Sequence, residues 1–147
     1  MKQILVATDG SEHAAHAVEQ AVDFARASRA RLIVAYVRRA PLPVLGEPVY
    51  QRSLSRELRH ADEATAIAAA RACGAGVEAE IEIVQGDAAA RVLELARDRD
   101  VDVIVVGSRG RGVLAGSLLG SVSREIVRQA DRPVLVAPRK AARRRAA

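Results

Sequence analysis

Residues 101–110 read Val-Asp-Val-Ile-Val-Val-Gly-Ser-Arg-Gly, and residues 120–123 read Gly-Ser-Val-Ser after a nine-residue spacer. The apolar run at 101–106 predicts a strand buried on both faces, and residues 124–130 predict a helix. Glycines at the end of a strand let backbone approach a ligand closely. A helix start offers unpaired N–H groups and the positive end of a dipole. With hydroxyls at Ser121 and Ser123, this order of segments is typical of a site for a phosphate chain.

Short apolar segments alternate with helical patterns along the rest of the chain. The sequence predicts further strands at 4–7, 31–37, 77–83 and 134–137, and further helices at 12–27, at 51–71 and after Asp87. Ser11 and Asp87 are expected N-caps. A loop rich in proline and glycine is predicted at 41–50.

The segment at 77–83 differs from the other strands because apolar residues alternate strictly with glutamates. Such alternation is typical of a strand with one solvated face. We therefore expect this strand at an edge of the sheet.

Five strands alternating with four helices predict an α/β fold: a single doubly wound domain, with a five-stranded parallel sheet and helices on both faces. Ligands bind such sheets beyond the carboxyl ends of the strands, where the winding direction reverses. If the strands at 4–7 and 101–106 are neighbours, the chain at the ends of the strands near 7, 37 and 107 converges on one crevice.

The net charge of +5 is unevenly distributed. Residues 1–138 carry equal numbers of acidic and basic side chains, and the five basic residues of 139–147 account for the whole excess. We predict one folded domain at 1–138 and a basic, disordered tail at 139–147. The alternative for the tail is a weak contact with nucleic acid or another anionic surface, although it contains no aromatic residue for base stacking.

The chain has one cysteine and no apolar run long enough for a signal peptide or a membrane helix. We expect a soluble cytoplasmic protein. The lone Cys73 is interpreted as a bland thiol rather than a nucleophile. His13 and His16 lie three residues apart without an evident third ligand, so no zinc site is expected.

Two common nucleotide-binding motifs are missing. No segment matches Gly-x4-Gly-Lys-[Ser/Thr], and the only lysines are Lys2 and Lys140. Gly-x-Gly-x-x-Gly is absent too, because Gly116 follows Gly112 one residue too late and after the wrong strand. An NAD enzyme is therefore not expected.

The pattern Gly107-x2-Gly110-x9-Gly120-Ser121 resembles the nucleotide-binding motif of the universal stress protein family. Residues 4–11 resemble the family's opening strand with its Thr-Asp turn, and residues 120–136 resemble its closing segment. The likeness extends over about residues 2–138. It implies a doubly wound fold of the ATP-binding branch, with ATP as ligand, Mg²⁺ as its companion ion, and a homodimer formed through the strand Val134–Ala137.

The resemblance also implies roles for individual residues. Three would line the adenosine side: Ala7, Thr8 and Asp9. Asp9 would lie near the ribose or a metal-bound water, and the backbone of Val37 would meet adenine. Seven would hold ribose and phosphates: Gly107, Arg109, Gly110, Gly120, Ser121, Val122 and Ser123.

Simpler roles remain open for three of these side chains. Asp9 could serve a turn or cap a helix, Ser121 could cap the last helix, and Arg109 could be an exposed loop charge. Three functions also remain open. The first is an ATP-binding regulatory module acting through dimerisation in a stress response. The second is a slow ATPase or autophosphorylating protein, and the third is a module for a different ligand or protein.

Overall fold

The computed structural model describes residues 1–109 and 119–138, so Gly110 and the predicted tail lie outside the described residues. The elements are β1 Gln3–Ala7, α1 Glu12–Ser28, β2 Arg31–Arg38, a 3-10 helix Pro43–Leu45, α2 Val49–Gly74, β3 Ala79–Gln85, α3 Ala88–Asp98, β4 Val103–Gly107, α4 Ser121–Gln129 and β5 Val134–Ala137.

The five strands form one parallel sheet in the order β3-β2-β1-β4-β5. β1 lies between β2 and β4, with Leu5 opposite Ile33 on one side and Ile104 on the other. The chain first winds outward from β1 to β3, then crosses back to β4 and β5. The predicted doubly wound architecture is confirmed, and its reversal point lies between β1 and β4.

Alternate residues of the central strands enter two separate cores. Ile4 and Val6 pack under α1 and α2, with Val18 and Ala68 among their neighbours. On the opposite face, Leu5 packs with residues of α3 and α4. Each fully buried aliphatic side chain of this size stabilises the fold by about 1.5–3 kcal/mol relative to exposure. These two cores fix the central strands and thus the position of their carboxyl ends.

The edge strand β3 is less buried than the central strands of the sheet. β3 is at an edge, as its alternation predicts. Its apolar side chains are nevertheless less covered than the pattern suggests, since Ile81 is 42% and Ile83 36% exposed. The small residues Ala61 and Ala64 of α2 pack on Tyr36 of the neighbouring β2, which leaves the outermost strand partly uncovered.

The predicted bounds of three elements were wrong by two or three residues. β3 begins at Ala79 rather than 77, because the Val77 amide donates to the Ala72 carbonyl and so belongs to the end of α2. α2 runs from Val49 to Gly74, longer than 51–71 at both ends. α4 begins at Ser121 rather than 124, since the Arg124 amide already bonds to the Gly120 carbonyl.

The first strand is tied to the start of β4 by one carboxylate. Asp102 accepts hydrogen bonds from the backbone amides of Lys2 and Gln3, at 2.6 and 2.9 Å. These two bonds lower the pKa of Asp102 below its ordinary value, because they stabilise the charged form.

We expect Asp102 to make the free energy of unfolding depend on pH in the acid range. A carboxyl whose pKa is lower in the folded state stabilises the fold above its unfolded pKa of about 3.9, and this contribution is lost as pH falls through the folded pKa. Asp102→Asn should therefore reduce the loss in the free energy of unfolding, measured by urea titration, between about pH 5 and 2. The exposed Asp98→Asn on α3 is the matched control, and an equal flattening in both variants would contradict the assignment.

Within the two described ranges, no helix is both long enough and apolar enough to cross a lipid bilayer.

Candidate nucleotide-binding site

The carboxyl ends of β2, β1 and β4 surround one cavity of about 410 Å³. The Thr8 amide donates to the Ala35 carbonyl at 2.9 Å, which carries the pairing of β1 and β2 beyond the strand. Because β1 pairs with both β2 and β4, the segments that follow all three strands lie side by side. The structure therefore confirms the prediction that these three strand ends converge on one crevice.

Ten of the eleven residues that the sequence singles out line this cavity. They are Ala7, Thr8, Asp9, Val37, Gly107, Arg109, Gly120, Ser121, Val122 and Ser123. The eleventh, Gly110, lies outside the described residues. The remaining lining residues were not predicted: Ala14, Ala35, Arg39, Glu57, Ala88, Val92 and Val106.

Helix α4 presents its amino end to the cavity without a side-chain cap. α1 and α3 begin with Ser11 and Asp87, whose side chains accept hydrogen bonds from Ala14 and Ala90. At α4 the N-cap residue is Gly120, which has no side chain to play this part. The first-turn residues 121–123 line the cavity, and amides at this position favour an anion.

The possibility that Ser121 caps α4 was wrong, since it is the first helical residue and Gly120 holds the cap position. Ser121 is exposed, and it lines the cavity.

Two short hydrogen bonds form a neck, where residues 107–108 at the end of β4 meet residues 120–123 at the start of α4. The Gly120 amide donates to the Ser108 carbonyl at 2.7 Å, and the Ser123 hydroxyl donates to the Gly107 carbonyl at 2.6 Å. Ser123 is only 5% exposed, so this bond satisfies a buried carbonyl. The neck holds the start of α4 against the end of β4 and so fixes the direction of the α4 amides.

Packing against α1 favours glycine at position 107. A Cβ at this position would lie 3.0 Å from the His13 carbonyl oxygen and 3.2 Å from the carbonyl carbon, both of them backbone atoms of α1. The first turn of α1 therefore lies directly against the end of β4. This long-range contact is invisible in the sequence, where Gly107 is interpreted only as a ligand-approach residue.

Asp9 belongs to a tight turn that also forms a wall of the cavity. Its Oδ1 accepts a hydrogen bond from the Ser11 amide at 2.9 Å, and Thr8 Oγ1 accepts one from the Gly10 amide at 3.2 Å. His60 Nε2 of α2 lies 2.8 Å from the Asp9 carbonyl oxygen. The turn role that the sequence left open is thus present, and the lining position keeps the ligand role open beside it.

Gly10 explains why this turn can approach α2 so closely. Its φ is +78°, and a Cβ would lie 2.8 Å from His60 Nε2. Only glycine adopts this backbone at no steric cost.

The wall of the cavity opposite α2 is apolar. Ala35 and Val37 of β2, Ala88 and Val92 of α3, and Val106 of β4 line it with small aliphatic side chains. Such a surface suits a flat, apolar group such as a nucleobase. Sequence reasoning missed Ala88 and Val92, because small apolar residues in an amphipathic helix carry the same signal whether they face a core or a cavity.

Two charged lining residues were also missed. Arg39 follows β2, and Glu57 belongs to α2. Glu57 accepts a hydrogen bond from the Tyr36 hydroxyl at 3.1 Å, and the Tyr36 ring is fully buried. No local pattern marks Glu57, since it belongs to a helix whose other charged side chains include Arg52, Arg56 and Arg59.

The fold and the cavity together define a small α/β protein that would bind its ligand at the carboxyl edge of a doubly wound sheet. The universal stress protein family model matches residues 1–138. The chain is 38% identical over 135 residues to the universal stress protein in the QAH/OAS sulfhydrylase 3′ region of Thermus aquaticus, covering 92% of this chain and 97% of that one. The chain therefore belongs to the universal stress protein family.

Solved structures of the family superpose closely on this fold. The universal stress protein UspA from Lactobacillus plantarum has a TM-score of 0.84 at 27% identity, covering 92% of this chain and 97% of that one. A universal stress protein in complex with cAMP has a TM-score of 0.73 at 31% identity, with 92% and 95% covered.

Among the described residues, no group of three or more His, Cys, Asp or Glu side chains is placed to hold a metal ion. Mg²⁺ at nucleotide sites is commonly bound by one or two carboxylates together with ligand phosphates. The carboxylate of Asp9, one of two among the described residues of the cavity wall, fits that kind of shared coordination.

Proposed function

We propose that this protein is an ATP-binding regulatory module of the stress response. The observation that carries the proposal is the uncapped start of α4, which faces the cavity beside Gly107 and the turn at Asp9. Amides of Ser121, Val122 and Ser123 would bind the phosphates, with help from Arg109. The cAMP complex of a relative 31% identical to this chain supports an adenine nucleotide as the ligand class.

The order of the strands suggests how the nucleotide would lie. The base would pack on the apolar wall at β2, and the ribose would lie near Asp9 at β1. The phosphates would lie at the junction of β4 and α4, about 10 Å from β2, because neighbouring strands are about 4.8 Å apart. Mg²⁺ would bind between the phosphates and Asp9, either directly or through water.

Binding of adenosine and of tripolyphosphate, each compared with binding of ATP, tests this arrangement. We expect adenosine and tripolyphosphate each to bind at least about 100-fold more weakly than ATP, because each engages only one half of the cavity. Isothermal titration of the nucleotide-free chain with each compound, with and without Mg²⁺, measures this. Tripolyphosphate binding as tightly as ATP would mean that the base contributes nothing and would overturn the proposal.

The regulatory part of the proposal rests on dimerisation through β5. This strand is at the sheet edge opposite β3, and its first three residues are only half-buried. Among the described residues no strand pairs with the outer side of β5, and an apolar edge strand of this kind is suited to pair with a second copy. Sedimentation of the wild type and of Leu135→Lys tests this pairing, and a wild-type chain that stays monomeric at high micromolar concentration would contradict it.

We further propose that residues 1–138, the extent of the family match, are the folded unit and that the protein acts in the cytoplasm. The equal numbers of acidic and basic residues in 1–138 support a folded part that does not bind nucleic acid.

A further inference from the structure

We propose that the guanidinium of Arg39 stacks on the nucleobase and covers the face of the base that the apolar wall leaves open. This inference rests on the proposed function, since it concerns the base end of the same cavity. Arg39 comes directly after β2, and it is one of two arginines that line the cavity within the described residues. The other is Arg109, which follows β4 and so lies at the end proposed for the phosphates.

Arg39 extends the row of side chains that β2 presents to the cavity. The cavity is lined by Ala35, Val37 and Arg39, whereas Tyr36 and Arg38 between them do not line it. Alternate residues of a strand lie on the same face, and the lining continues this alternation one residue beyond the end of β2. The methylene stem of Arg39 therefore prolongs the apolar surface of Val37, and its charged end is long enough to reach over a base that packs there.

A guanidinium is the group in this lining that is best suited to stack on a base. The described lining residues include no Phe, Tyr, Trp or His. The arginine head is planar and weakly hydrated, so it stacks on aromatic faces, and attraction between the cation and the π-system adds to the contact. Lysine carries the same charge on a compact ammonium group that has no flat face. Stacking at this position therefore requires arginine, and a positive charge alone does not replace it.

The contacts inside the protein leave Arg39 able to turn toward a base. Its side chain is exposed, and it makes no hydrogen bond or ion pair with any other described residue. Glu57, the acidic lining residue of α2, accepts a hydrogen bond from the Tyr36 hydroxyl at 3.1 Å and is not paired with Arg39. Within the described part of the chain, no such bond has to break before the guanidinium moves over the base.

Ring currents test the stacking directly, because protons that lie over the face of an aromatic ring shift upfield in NMR spectra. We expect saturating ATP to shift the δ-methylene protons of Arg39 upfield. Saturating tripolyphosphate, which has no ring, should leave them nearly unchanged. The spectrum of Arg39→Lys identifies the Arg39 signals, because they are missing from it. ATP that binds without this shift, or an equal shift with tripolyphosphate, would overturn the inference while the proposed function stands.

The affinity of Arg39→Lys for ATP separates stacking from charge. We expect this variant to bind ATP about fivefold more weakly than wild type although its charge is unchanged, since a stacked cation contributes about this factor. Arg38→Lys, at the neighbouring residue that does not line the cavity, is the matched control and should keep the wild-type affinity. An Arg39→Lys protein with wild-type affinity would overturn the inference. Absence of any ATP binding by wild type would instead remove the proposed function itself.

Discussion

Ser121→Glu should make the protein slightly more stable and nearly abolish ATP binding. A carboxylate in the first turn of a helix stabilises it by about 0.3–1 kcal/mol, because it complements the dipole. The same charge would occupy the place proposed for a phosphate at the uncapped start of α4. Repulsion between two unit charges about 4 Å apart near a protein surface is about 4 kcal/mol, so even with salt screening we expect about 100-fold weaker binding.

Ser121→Gln separates charge from bulk in this experiment. Glutamine is nearly the same size as glutamate, and Ser121 is exposed, so neither side chain has to enter a core. The glutamine variant should lose much less affinity than the glutamate variant, and the difference should shrink at high salt. Urea unfolding and calorimetric titration measure the two effects. Equal ATP affinities of wild type and Ser121→Glu would mean that α4 does not bind the phosphates.

Gly107→Ala should destabilise the fold by about 1–3 kcal/mol, although only one methyl group is added. The added Cβ would lie 3.0 Å from the carbonyl oxygen of His13, and this neighbour is backbone of α1 that cannot rotate away. The strand end would have to separate from α1. The neck hydrogen bond from Ser123 to the Gly107 carbonyl would then be disturbed, so ATP affinity should fall as well.

Gly74→Ala is the matched control, because it adds the same methyl group at the last residue of α2, where, among the described residues, no atom outside its chain neighbours and the backbone of its own helix lies within 4 Å of the new Cβ. We expect this variant to be neutral or more stable by up to about 1 kcal/mol, since alanine loses less backbone entropy than glycine. Urea titrations of both variants provide the comparison. A Gly107→Ala protein as stable as wild type would contradict the close packing of β4 on α1.

The fold was predictable because local and long-range signals agree. The central strands are apolar on both faces, and the alternation of apolar and acidic residues in β3 predicted its position at an edge of the sheet. The boundaries were less predictable, since they depend on single hydrogen bonds. The bond from Val77 to the Ala72 carbonyl moves the start of β3, and the bond from Arg124 to the Gly120 carbonyl moves the start of α4.

The lining of the cavity was predictable only where the residues follow strand ends or begin α4. The winding of the sheet predicts where these segments meet, and the resemblance to the family singles out their individual residues. Glu57 and Val92 come from the interior of helices, and only the packing of α2 and α3 brings them to the cavity. The double role of Gly107 and the neck bond of Ser123 likewise depend on contacts between elements distant in sequence.

The central claim is that ATP binds at the carboxyl edge of the sheet with its phosphates on α4. At 15.6 kDa the chain is small enough for residue-resolved NMR of its backbone amides during an ATP titration. The account predicts saturable chemical-shift changes that are largest at 121–123, at Gly107 and at Val37. It predicts no change at the amino ends of the strands, near Val77 and Asp102. Shifts confined to other parts of the chain, or none at millimolar ATP, would contradict it.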